Sequence, residues 1–172
     1  MKKSWLLALI VVVSLGVIGV GLAAWTETIT IAGSVTTGDI NPDFTSASTD
    51  DPGTTIDPGT DKNVGMTEVS FSADAATVTV TNAYPGYHSD VTLTVKNNGS
   101  VPIEITDYSI DSLPDEISLT SSDSGLVPGT VIGAGESKSG TFTQTVNDGA
   151  AESSNYTYGI TITAEQWNHA SL

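Results

Sequence analysis

Beyond residue 24 the chain repeats with a period of two. Thr77-Val78-Thr79-Val80-Thr81 alternates, and so does Val91-Thr92-Leu93-Thr94-Val95. Ile103-Glu104-Ile105 leads into Tyr108-Ser109-Ile110. Gly140–Val146 and Tyr158–Ala164 continue the pattern. Val, Ile and aromatic residues alternating with Thr describe strands with one buried and one wet face. Turn signals separate them at Tyr84-Pro85-Gly86, Asn97-Asn98-Gly99, Leu113-Pro114, Pro128-Gly129 and Asn147-Asp148-Gly149. No helical window of useful length follows residue 24. The expected fold class is all-β, an antiparallel sandwich of jelly-roll or immunoglobulin-like type.

Two stretches depart from this rhythm. Trp5–Ala24 is almost wholly apolar and follows Lys2 and Lys3. A positive start, an apolar run and small residues at its end describe a secretory signal peptide over residues 1–23, forming a signal helix. Gly21-Leu22-Ala23 places cleavage between Ala23 and Ala24; the alternative is an uncleaved anchor, since about twenty apolar residues span a bilayer. Either way the lysines mark the inner side and the remainder is expected outside the cytoplasm, secreted or at the cell surface. The second departure is Thr45–Asn63, which holds two Asp-Pro-Gly-Thr units and one strongly apolar residue, Ile56. That composition predicts a mobile acidic loop. The expected organisation is one domain over 24–172: a leading strand region at 24–44, the loop at 45–63 and the sandwich at 64–172. The C-terminal Ala-Glu-Gln-Trp-Asn-His-Ala-Ser-Leu carries no hydrophobic tail, so sortase-type anchoring is not expected.

Charge narrows the partners. Five lysines, no arginine and twenty acids give a net charge of −15, which becomes −17 when residues 1–23 leave with Lys2 and Lys3. A nucleic-acid binder needs a basic footprint, so that class is excluded, and docking on anionic lipid is disfavoured. Membrane contact is expected only through the signal segment, and a signal peptidase is the expected processing partner. The chain has no cysteine, so stability rests on burial alone.

Candidate chemistry is sparse. His88 and His169 lie far apart, with no His-Glu-x-x-His pairing, and no Gly-x-Ser-x-Gly elbow occurs. Asp115-Glu116 is the adjacent acid pair that general acid–base work would need, yet one such pair is expected by chance among twenty carboxylates. No enzyme is expected, and a secreted hydrolase is the remote alternative. No cofactor is expected; calcium is a candidate ligand of Asp50, Asp51, Asp57 and Asp61, which cluster in the loop without an Asp-x-Asp-x-Asp-Gly frame, and plain solvation of these carboxylates is the preferred reading. Asn98-Gly99-Ser100 and Asn155-Tyr156-Thr157 are N-glycosylation acceptor sequences at Asn98 and Asn155.

The stretch after the expected cut, Trp25-Thr26-Glu27-Thr28-Ile29-Thr30-Ile31, alternates and predicts a strand with one face to bury. It either closes its own sheet or inserts into the next subunit, and head-to-tail donation gives an open filament. Ala24-Trp25-Thr26-Glu27, then Thr37-Gly38-Asp39-Ile40, resemble the start of exported proteins of the TasA/camelysin type, processed by a SipW-like signal peptidase. Residues 84–105, a Pro-Gly turn into a strand and then Lys-Asn-x-Gly-x-x-Pro, and the closing Ala164-Glu165-Gln166-Trp167-Asn168 are similar to that family as well. Trp25 stands where a Phe-type aromatic is frequent, and residues 45–63 have no counterpart. The resemblance implies a jelly-roll-like, non-catalytic subunit of extracellular fibres or biofilm matrix, polymerising with itself through N-terminal donor strands. Some such proteins carry a metalloprotease label, which no ligand triad here supports. A monomeric adhesive or ligand-binding sandwich is the competing expectation.

Overall fold

The computed structural model describes residues 2–19, 27–121, 124–151 and 153–168. The chain divides into two compact units, Met1–Thr36 and Thr37–Leu172. The first contains helix α1, Lys2–Gly19, whose apolar side chains from Trp5 to Leu15 are exposed. Among the described residues no helix is long and apolar enough to cross a membrane.

The second unit is an antiparallel β-sandwich. Its strands are β1 (Pro42–Thr49), β2 (Met66–Phe71), β3 (Ala76–Ala83), β4 (His88–Asn97), β5 (Ile103–Asp111), β6 (Ile117–Ser121), β7 (Val131–Ile132), β8 (Ser137–Val146) and β9 (Ser154–Gln166). One sheet has the order β1-β4-β8-β6 and the other β2-β3-β9-β5-β7. The five alternating runs seen in the sequence become β3, β4, β5, β8 and β9, the strands with the most buried inner faces. Strand β4 is the purest case: Val91, Leu93 and Val95 are buried while Thr92 and Thr94 face outward. Beside it in the same sheet, Phe142 and Val146 of β8, and opposite it in the other sheet, Val78 and Val80 of β3 and Tyr158 and Ile160 of β9, complete the apolar interior.

The leading region and the loop differ from expectation. Residues 27–41 carry no strand, and the first ladder begins at Pro42. Thr45–Thr49, expected as loop, belong to β1: after a bulge at Thr45, Ser46–Thr49 pair with Thr94 through Val91, anchored by Phe44 at 6 % exposure. One buried aromatic and backbone pairing to a central strand outweigh the polar composition. Residues 37–41 also belong to the sandwich unit, so its boundary precedes the expected residue 64.

Candidate functional site

The expected donor strand falls partly outside the described residues: Ala23, Ala24, Trp25 and Thr26 lie there, as does His169. Glu27, Thr28, Ile29, Thr30 and Ile31 are described, and all are exposed. Ile29 is 83 % exposed, Ile31 90 % and Val35 93 %. Leaving three β-branched apolar groups in water is costly, at roughly 1.5–3 kcal/mol for each one that could instead be buried. The following Gly38-Asp39-Ile40-Asn41 docks against the Asn97–Val101 turn. The Asp39 carbonyl accepts the Ser100 and Val101 N–H groups at 3.0 and 3.3 Å, and the Asn41 carbonyl accepts Asn98 N–H at 2.8 Å. Gly99 permits this approach, because a Cβ there would lie 2.5 Å from the Asp39 carbonyl oxygen and 2.8 Å from Ile40 Cα. Two motifs separated by sixty residues, Thr37–Ile40 and Lys96–Pro102, are thus one local structure.

The four loop aspartates do not converge. Among the described residues no group of three or more metal-ligating side chains is placed to hold a metal ion. Asp61 is exposed beside Lys62, and Asp50 Oδ1 accepts Asp90 N–H at 2.8 Å. Asp51 and Asp57 are buried, at 0 and 1 % exposure, and their oxygens are already engaged by donors. Asp51 Oδ1 accepts Gly53 N–H, and its Oδ2 accepts the Tyr87 hydroxyl at 2.9 Å. Asp57 Oδ1 accepts Val64 N–H; its Oδ2 accepts Gly65 N–H and the Tyr84 hydroxyl, all at 2.8 Å. A cation would have to displace these N–H and O–H dipoles, which point positive ends at the carboxylates. Asp51 and Asp57 of the candidate calcium set instead form a clasp. The two Asp-Pro-Gly units, with Gly53 and Gly59 at φ 80° and 77°, present one carboxylate each to Tyr84-Pro85-Gly86-Tyr87.

The clasp shifts its members' titration. Burial works to raise the Asp57 carboxyl, but hydrogen bonds from Gly65, Val64 and Tyr84 outweigh it and hold the group below 3.8. Burial and the Asp57 carboxylate push Tyr84 up to about 12. Burial, with Asp51 adding to it, raises Tyr87 too.

From Tyr87 the clasp continues into the core as a polar network. Gln144 Nε2 donates to Thr67 Oγ1 at 2.6 Å and to Ser89 Oγ at 2.7 Å, and the Tyr158 hydroxyl donates to Gln144 Oε1 at 2.7 Å. Thr67 also meets Tyr87 Oη at 3.0 Å and Ser89 Oγ at 2.8 Å. Because the Tyr87 proton goes to Asp51, proton counting sets the rest: Ser89 donates to Thr67, and Thr67 to Tyr87. Strands β2, β4, β8 and β9 each supply one member, so both sheets are tied to the loop. Among the described residues no buried side-chain polar atom lacks a partner. Sequence reasoning missed this network. Its only signals were polar residues at inward positions, Thr67, Ser89 and Gln144, in otherwise apolar faces.

The remaining candidates are dispersed. His88 is half-buried, with Nδ1 3.3 Å from the Gly86 carbonyl oxygen. Asp115 and Glu116 serve the β6–β8 junction through their backbone carbonyls, which accept from Asn147. Asn98 is exposed with Nδ2 donating to Asp43 at 2.7 Å, and Asn155 is exposed on β9. Comparison with family models, with curated proteins and with solved structures finds no match.

Proposed function

We propose that this chain is a non-catalytic structural subunit of an extracellular filament or biofilm matrix, exported through its N-terminal apolar segment and polymerised by strand donation. The observation that carries the reading is the exposure of Ile29 and Ile31, two apolar residues spaced for one face of a strand, in a segment without strand pairing. Exposed alternating apolar sequence ahead of a sandwich with sheet edges is what β-augmentation of a second copy uses. The resemblance of residues 24–40, 84–105 and 164–168 to the TasA/camelysin type supports the same reading.

The energetics are adequate. Burying Ile29 and Ile31 contributes roughly 1.5–3 kcal/mol each. Each added ladder bond contributes about 0.5–1.5 kcal/mol net. Trp25, which shares the odd-numbered alternation of Ile29 and Ile31 in the sequence, would add a third apolar anchor. Together these offset an association cost on the order of 4–15 kcal/mol. While residues 1–23 remain attached the strand is held at the membrane, and cleavage after Ala23 frees it.

Ile29→Pro tests the reading, because proline removes a ladder donor. Electron microscopy of the processed chain is expected to show fibres that this substitution abolishes, with an unchanged far-ultraviolet spectrum. A parent that stays monomeric at high concentration refutes polymerisation in favour of a solitary adhesive sandwich. A variant that unfolds places the strand in its own sheet.

A further inference from the structure

Strand β5 is unevenly covered. It pairs with β9 along its length, Ile103 with Gln166 through Asp111 with Gly159. On its other side β7 meets only Ile103 and Glu104, and Gly129 and Thr130 add bonds to Ile105. From Thr106 to Asp111 no strand among the described residues lies on that side. The strand contains its own comparison. Ile103 and Ile105, where the edge is covered, are 0 % exposed. A bulge between Ile105 and Asp107 then shifts the parity, so that Tyr108 and Ile110 turn to the core, and both remain only half-buried. Tyr108 packs edge-on against Phe142, with ring centroids 5.8 Å apart. Its N–H donates not to a strand carbonyl but to the neighbouring Asp107 Oδ1, at 2.9 Å. A side chain holds the place that another strand's carbonyl would take.

The β1 and β2 edges each carry a backbone bond to a neighbouring loop. Phe44 N–H of β1 donates to Ala73 O beyond the end of β2, and Thr67 N–H of β2 donates to Asp51 O. Val69 of β2 and Leu119 of β6 are also partly buried at sheet edges, but β5 sets two such side chains, Tyr108 and Ile110, along a stretch with no strand partner among the described residues on that side.

We propose that residues Thr28–Ile31 of a second copy of this chain dock as a strand on the β5 edge Thr106–Asp111. The inference rests on the strand-donation reading and names its acceptor. Ile29 and Ile31 have the two-residue spacing of Tyr108 and Ile110, so one strand added to this edge lays both isoleucines over the half-covered pair. The donor's carbonyls replace Asp107 at the Tyr108 N–H. The donor's threonines face outward, in line with exposed Ser109.

Disulfide trapping between copies tests it, because the chain has no cysteine of its own. Thr28→Cys or Thr30→Cys in one processed chain is mixed with Ser109→Cys in another, under mild oxidation. Ser70→Cys on the exposed outer face of β2 replaces Ser109→Cys as the competing edge. The expected result is a covalent heterodimer with Ser109→Cys, lost on reduction, absent with Ser70→Cys and abolished by Ile29→Pro in the donor. Trapping to Ser70→Cys, or fibres that form with neither disulfide, overturns the assignment of the edge while leaving strand donation in place. A chain that neither traps nor polymerises overturns both. Trapping that survives Ile29→Pro shows a contact other than a strand and also overturns the proposal.

Discussion

Asp57→Ala separates a built loop from a solvated one. In the parent the carboxylate takes three hydrogen bonds of 2.8 Å while 1 % exposed. Alanine leaves the Tyr84 hydroxyl free to turn to water, because Tyr84 is only half-buried. Val64 is exposed, but the Gly65 N–H has no such freedom, because Gly65 is buried under the Tyr87 ring, where even a Cβ would lie 2.5 Å from Cε2. An orphaned buried donor costs about 1–3 kcal/mol, so the Gly65 N–H alone predicts a loss of roughly that size. Urea unfolding reads the loss as a lower midpoint, and hydrogen exchange at Gly65 reads it locally. Asp61→Ala, at an exposed position in the same loop, is the internal control, expected within about 0.5 kcal/mol of the parent. An Asp57→Ala variant that unfolds with Asp61→Ala and the parent refutes the clasp. Calcium is expected to leave the midpoint of the parent unchanged, since a ligand that binds the folded state raises it.

Three further outcomes follow from the same geometry. Stability is expected to be level from about pH 5 to 9 and to fall on both sides. Asp57, lowered in the fold, contributes above the ordinary carboxylate range and loses that contribution as pH drops through its own value. Tyr84, raised from 10.0 to about 12, contributes below pH 10 and loses it as pH climbs toward 12; thermal unfolding against pH, with Asp57→Asn and Tyr84→Phe flattening the acid and alkaline limbs, checks both. Gln144→Met strands the Tyr158 hydroxyl and should cost about 1–3 kcal/mol. Adding Tyr158→Phe should recover part of that loss in a double-mutant cycle, and strict additivity would refute the coupling. Gly99→Ala drives a Cβ into Asp39 and Ile40 and should destabilise by about 1–3 kcal/mol in denaturant.

The strands legible in the sequence were those whose inner faces are apolar. Val78 and Val80, Val91 through Val95, Phe142 and Val146, and Tyr158 and Ile160 announce themselves by alternation because each is buried between two sheets. Strand β1 was hidden, since Pro-Asp-Phe-Thr-Ser-Ala-Ser-Thr buries one large apolar side chain, Phe44, and its pairing to β4 is decided by backbone far along the chain. The shift from Ile103 and Ile105 to Tyr108 and Ile110 was visible as a broken rhythm, and the bulge explains it. The loop was misjudged for a related reason. Aspartate, proline, glycine and threonine describe solvated chain when counted locally, but Asp51 and Asp57 find their partners in Tyr87 and Tyr84, well outside any local window. Alternation at residues 28–31 indicated a strand, whereas the structure gives those residues no strand of their own.

The position of β9 sets the order in which the molecule becomes whole. Residues 154–166 lie between β3 and β5 in the five-stranded sheet, bridging the β2–β3 pair and the β5–β7 pair. A chain emerging amino end first therefore holds these two halves as separate, half-clad fragments until Gln166 is free to join them. Completion is late, so a nascent chain stays pliable, and truncation before residue 154 should yield protease-sensitive material rather than a smaller folded core.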